Sequence, residues 1–325
     1  VTAQLTRPLR HVDATQVIVR RQAEVIQRSW RSLEFGGLRG SFAAHVLPVF
    51  LSAVTDGQTQ AAALATPYVA DVLGEADELT PSVVPAAFAG VGASGLPLAA
   101  LAELVLWRLL ADIGAGMSAT DAAARGLRRA LTYAGTEITD AGRTATQVQL
   151  IADTRVAGYE RVVKLPACDR CVILTGRLYR YSEGFRRHPR CDCSMRPVTA
   201  EQYRTENPDN HPRALFDAMT AAEQNARFGV GNADAIRAGA DLSQVVNARR
   251  GAMPVAGRWT TRSGTTSRGL AGARLGQLAT VPTSSGGRYR RTQLARPTAG
   301  QVVTDYADRS RDELIAALRR YGYVL

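Results

Sequence analysis

A mainly α-helical chain, with a small α+β cysteine-rich region and an extended C-terminal arm, is the fold class this sequence predicts. Three observations carry the expectation. Apolar residues recur at helical spacing through the first 157 residues. All four cysteines fall within residues 168–193, and residues 242–304 hold ten arginines with no Asp or Glu. Apolar content of 46% with only 6% aromatics belongs to a folded chain whose helices pack through small side chains. At 325 residues there is room for two domains, or for one domain with an arm. The composition divides into a helical N-terminal domain at 1–157, a Cys/His module with following helices at 158–250, an Arg/Gly-rich extended arm at 251–304 and a docking helix at 305–325.

In the first segment Asp13, with Gln16 three positions on, caps a helix whose stripe is Val12, Val19, Ala23, Ile26, Trp30 and Leu33, and Gly36-Gly37 ends it. Further helices are predicted near 41–55, 58–74 and 97–113. Ser118-x-x-Asp121 opens another that runs to about Gly158 with a break near Gly135. Trp30 and Trp107 are read as core, and His45 as packed at a surface edge. The most apolar stretch, Leu96–Trp107, is too short for a membrane span and carries Glu103, so it reads as a buried helix, and no span is expected. Nor does the stretch Val1–Arg10 read as a signal peptide.

From Tyr159 the texture changes. Residues 161–165, 172–174 and 177–181 read as short strands around the first cysteine pair, and Gly176 as a turn. Helices return at 199–204, at 214–228 and at 233–238. After a stretch of weak periodicity at 251–300, Ser310-x-x-Glu313 forms a capping box for a last helix that Gly322 stops.

Cys168-Asp-Arg-Cys171 is a C-x-x-C knuckle, and His188-Pro-Arg-Cys191-Asp-Cys193 follows it. Thiolates are soft ligands suited to zinc, and structural zinc sites take four such groups in a tetrahedron. Cys168, Cys171, Cys191 and Cys193 form the candidate set for a structural zinc ion. His188 is an alternative ligand, because the C-x-C spacing is tighter than usual. Neighbouring Arg170, Arg186, Arg187 and Arg190 favour thiolates. Reduced structural thiols and a disulfide framework are the competing readings. A catalytic zinc would need an open position and a base, and no acid nearby forms a motif that supplies one.

The net charge of +11 is concentrated. Arg249, Arg250, Arg258, Arg262, Arg268, Arg274, Arg288, Arg290, Arg291 and Arg296 give residues 242–304 a charge of +10 and are the candidate nucleic-acid contact, sequence-blind and salt-sensitive. A solvated linker is the bland alternative.

The run from Leu165 through the C-x-x-C to Gly176, followed by Phe185-Arg-Arg-His188-Pro-Arg-Cys191-Asp-Cys193, resembles the Mu F-like minor head proteins of tailed phages. The section from Phe216 to Gly251 and the final Asp312–Tyr323 are similar to versions from phages of actinobacteria, whereas the first 150 residues agree only in helical character. The resemblance implies a structural minor capsid protein acting in head morphogenesis. Such a protein is assembled in the host cytoplasm, associated with the portal, and carried inside the capsid of the virion with double-stranded DNA. Its implied partners are the portal protein and the major capsid or scaffold protein. No enzymatic activity is expected, since G-x-S-x-G, H-E-x-x-H and Walker glycine motifs are absent from the sequence. The alternatives are a capsid maturation protease, with His11, His45, His188 or His211 as base, and a zinc-supported nuclease using His188 and the Asn207–His211 stretch.

Overall fold

The computed structural model describes residues 3–74, 80–184, 191, 193–205, 210–265, 269–276 and 295–324. It is 64% helical with two small three-stranded sheets, so the mainly α expectation stands. The chain divides into two compact units. One comprises Val1–Pro166 with Thr175–Asn210, and the other comprises Ala167–Leu174 with His211–Leu325.

The first unit is a helical bundle beside a sheet. Its helices are α1 (Ala3–Trp30), α2 (Leu38–Ser41), α3 (Leu47–Ala63), α4 (Ala65–Leu73), α5 (Leu98–Gly114) and α6 (Ala119–Ala152), with one π-helical turn at Phe42–Val46. Helix α1 begins ten residues before Asp13, which therefore lies inside it and caps nothing. Leu5 and Val12 are buried and extend the apolar stripe backwards, and this burial outweighs the backbone hydrogen bond forfeited at Pro8. Ser118 caps α6 as expected, its Oγ accepting from the Asp121 N–H at 3.1 Å. The predicted break at Gly135 is absent, and α6 runs unbroken for 34 residues. Its buried face is Ala122, Gly126, Ala130, Ala134, Ile138, Ala141 and Ala145. A Cβ at Gly126 would stand 2.9 Å from the Trp30 ring, so the small residue sets how closely α1 and α6 approach. Trp30 is core, as read from the sequence, and donates its indole N–H to the Ala123 carbonyl.

Two expectations fail here. Trp107 is 57% exposed on the outer face of α5, because Ala102, Val105 and Leu109 take the buried positions, and His45 is exposed. The helical run Phe35–Leu73 is long and apolar enough, by length and composition, to cross a membrane, with a hydropathy of 1.3 over its window. That criterion is also met by the core helix of a water-soluble bundle, and Phe42, Val46, Phe50 and Val54 of this run lie in the bundle core.

Strands β1 (Gly158–Val163), β2 (Leu178–Arg180) and β3 (Cys193–Val198) form an antiparallel sheet in the order β2-β1-β3. Pro197 is tolerated because β3 is an edge strand. Helix α7 (Asp169–Val172) lies between β1 and β2 in sequence, so the strand expected at 172–174 is the end of a helical turn.

The second unit carries α8 (Pro212–Asp217), α9 (Ala221–Phe228), α10 (Val230–Arg237) and α11 (Leu242–Arg250). The single helix expected over 214–228 is two. Thr220 and Glu223 make a capping box that starts α9, while Phe216 and Phe228 meet edge to face at 5.2 Å. The described parts of 251–304 hold a hairpin of β4 (Ala252–Val255) and β5 (Arg258–Thr261), then α12 (Leu270–Gly276), β6 (Arg296–Pro297) and α13 (Ala299–Asp305). Residues 266–268 and 277–294 of the predicted arm lie outside the described residues. Helix α14 (Arg311–Arg320) has the reciprocal Ser310–Glu313 capping box read from the sequence, and Gly322 follows at φ 73.

Candidate metal centre

Strand β1 carries two consecutive buried ionic residues whose side chains point to opposite faces of the sheet. On one face Glu160 Oε2 accepts from Arg196 Nε at 2.7 Å, a buried ion pair. On the other the guanidinium of Arg161, 2% exposed, donates to Cys193 Sγ at 3.2 Å and reaches Cys191 Sγ at 3.9 Å. The two sulfurs are 3.1 Å apart. A buried guanidinium needs a compensating anion. The two sulfurs are the acceptors its terminal nitrogen meets.

The backbone of this C-x-C segment is held from α6. Arg143 donates from Nε to the Cys193 carbonyl at 2.9 Å and from a terminal nitrogen to the Cys191 carbonyl, while its other nitrogen pairs with Asp140 at 2.9 Å. Both members of that ion pair are buried. Beside them His11 stacks on Tyr68 at 4.0 Å, and the Tyr68 hydroxyl donates to the Met195 carbonyl at 2.6 Å. Burial, with the positive charge of Arg143 adding, pulls the His11 pKa down from 6.5 to about 4, so it is neutral at neutral pH. Burial also pushes Tyr68 well above its ordinary range.

The C-x-x-C half is built locally. Cys168 is the N-cap of α7, its Sγ accepting from the Cys171 N–H at 3.3 Å, and the Val172 N–H closes the turn on the Cys168 carbonyl. Cys171 is buried and Cys168 half-buried. The chain returns to the sheet through Gly176 at φ 72, whose N–H donates to the Arg161 carbonyl at 2.8 Å. Here only glycine fits, because a Cβ would stand 1.9 Å from the Asn210 carbonyl oxygen.

Cys171, Cys191 and Cys193 are all buried, and their sulfurs lie within 4.8 Å of one another, so this group could hold a metal ion. No disulfide joins the four cysteines. A Zn–S bond of about 2.3 Å implies sulfurs about 3.8 Å apart on the edges of a tetrahedron. The Cys191–Cys193 pair, at 3.1 Å, would need to open slightly to meet that figure. The donor set therefore fits a soft, thiophilic cation. Cys168, expected as a fourth ligand, stands outside this group. Its sulfur is engaged in capping α7 and borders a cleft lined by Asp169, Arg227, Arg249 and Arg250. His188 lies outside the described residues.

The arm arginines need correction. Arg296 is fully buried and cannot meet a phosphate. It donates to the Ser263 and Tyr321 carbonyls and to Gln244 Oε1, and its guanidinium lies 4.1 Å from the Tyr323 ring centroid. Arg274 donates to the Arg319 and Val324 carbonyls at 2.5 and 2.7 Å. Arg249 pairs with Asp169 and Arg258 with Asp305. Arg250 and Arg262 are exposed, and Arg268, Arg288, Arg290 and Arg291 lie outside the described residues. Of the histidines considered as bases, His11 is stacked and neutral, His45 is exposed, and His211 caps α8, its Nδ1 accepting from the Arg213 N–H.

Sequence reasoning missed Arg161 and Arg143. Their only signal was their position, one inside an apolar strand and one on the small-residue face of a helix. Comparison with protein-family models, with curated proteins and with solved structures returns no match for this chain.

Proposed function

We propose that this chain is a structural component of a tailed-phage head, a minor capsid protein. Its cysteine centre would hold a zinc ion as a folding staple. The observation that supports the reading is the convergence of three buried thiols from the C-x-x-C and C-x-C halves of one sequence motif, the motif on which the family resemblance rests. A staple is the better chemical description of this centre. The sulfurs are buried, an adjacent guanidinium neutralises them, and the backbone carrying two of them is pinned by Arg143. These features suit a closed structural site. Portal association, residence inside the capsid and contact with packaged DNA through Arg250, Arg262 and the arm arginines outside the described residues complete the proposal.

The test has two parts. Elemental analysis of the purified full chain should return one zinc per polypeptide, lost in the Cys171→Ser and Cys193→Ser variants. Mass spectrometry of banded phage particles should find the chain at a few copies per head. A metal-free chain of unchanged stability would remove the staple, and particles assembled at full yield without the chain would remove the head assignment.

A further inference from the structure

Helix α1 presents a cationic face of four exposed arginines against a single acid, Glu24. Arg20, Arg21, Arg28 and Arg31, the last just beyond the helix end, are exposed, and among the described residues none of their side chains has an ion-pair or hydrogen-bond partner. At 100° and about 1.5 Å per residue, Arg20 and Arg31 fall within about 20° of one line and about 16 Å apart. Arg21 and Arg28 fall within about 20° of a second line, about 10 Å apart. Glu24 lies between the rows, exposed, and it is the only acid on this face from Arg20 to Arg31. Helix α6 runs antiparallel to α1, as Trp30 beside Gly126 and Val19 beside Gly135 show. Three arginines follow one another on α6, and Asp112 takes two of them, Arg125 at 3.3 Å and Arg129 at 2.6 Å. Arg128 is left exposed, one turn before Thr132, whose hydroxyl donates to its carbonyl. Thr132 and Arg20 line the same groove between the two helices.

We infer that this face of α1, with Arg128 of α6, is a binding surface for the phosphate backbone of double-stranded nucleic acid. Duplex DNA carries one phosphate charge per about 1.7 Å of axis, so a rigid row of arginines about 16 Å long meets phosphates without needing a particular register. Binding is therefore sequence-blind. A protein partner fits less well, because the exposed residues of this stretch, Arg20, Arg21, Glu24, Gln27, Arg28 and Arg31, offer no apolar or aromatic anchor. By contrast, three described arginines of the arm, Arg258, Arg274 and Arg296, are engaged internally. The α1 surface uses only charge and helix geometry, so it stands or falls independently of the head assignment and of the metal.

The experiment is fluorescence anisotropy of a labelled duplex of roughly 30 bp with the full chain, between about 50 and 200 mM salt. The variant R20Q/R21Q/R28Q/R31Q/R128Q should bind at least about tenfold more weakly, and its slope of log K against log salt should flatten by about 0.9 for each phosphate that the variant no longer neutralises. R204Q/R309Q, two exposed arginines assigned to no nucleic-acid contact, should stay within about twofold of the parent. Glu24→Gln, which cannot unfold the chain by removing a buried group, should tighten binding. Parent-like binding by the fivefold variant, absence of binding by the parent, unchanged affinity in Glu24→Gln, or displacement of the duplex by poly-glutamate at equal charge would each overturn the assignment.

Discussion

Replacing Arg161 by methionine is the sharpest probe of the cysteine centre. The substitution keeps length and apolar volume while deleting a buried charge 3.2 Å from Cys193 Sγ and 3.9 Å from Cys191 Sγ. At an effective dielectric of about 20, a unit pair at that shorter distance attracts by about 5 kcal/mol, an upper figure because both charges are desolvated. Removing one partner of a buried pair ordinarily costs about 3–5 kcal/mol. A sulfur is a weaker acceptor than a carboxylate, so the loss should fall at the low end or below, about 2–3 kcal/mol. Urea unfolding of the full chain reads this as a lower midpoint with an unchanged slope. The decisive comparison is a double-mutant cycle with Cys193→Ser. Cys193→Ser alone strands the guanidinium, so adding Arg161→Met to it should cost much less than Arg161→Met in the parent, or stabilise outright. If the two substitutions add to within about 0.5 kcal/mol, the sulfur–guanidinium pairing is wrong.

Two further outcomes follow from the same region. Gly176→Ala should cost upwards of about 3 kcal/mol by urea unfolding, since φ 72 is a left-handed conformation and the new Cβ would overlap the Asn210 carbonyl oxygen; a cost under about 1 kcal/mol would show that the return from α7 to the sheet is looser than this geometry implies. His11 is held neutral, its pKa lowered from 6.5 to about 4, so the unfolded chain binds the extra proton between those values. Its contribution is therefore complete above about pH 6.5 and is lost as pH falls towards 4, by at most about 3 kcal/mol. His11→Gln should flatten that part of the stability–pH curve, and an unchanged curve would reject the assignment.

Local signals in the chain were readable because their causes are local. The capping residues Ser118 and Ser310 bond to backbone three positions on, so a four-residue pattern contains the whole interaction. The C-x-C spacing likewise keeps two sulfurs near each other, 3.1 Å apart. Where the partner is distant in sequence, the reading failed. Asp13 carries a helix-start pattern, yet burial of Leu5 and Val12 carries α1 through it. Trp107 looks like core until Ala102, Val105 and Leu109 claim the inner face of α5. Arg296 looked like one more solvated cation and is instead the centre of a hydrogen-bond set spanning Gln244, Ser263 and Tyr321.

By itself, then, the sequence determined that the chain is mainly helical, where several helices begin, and that its thiols gather in one short stretch, since each depends on periodicity or on spacing within a few residues. The tertiary structure alone decided which three of the four sulfurs converge, that Arg161 lies against two of them, and which arginines keep their charge for a partner. Burial and ion pairing join residues tens to more than a hundred positions apart, and no window along the chain contains both members.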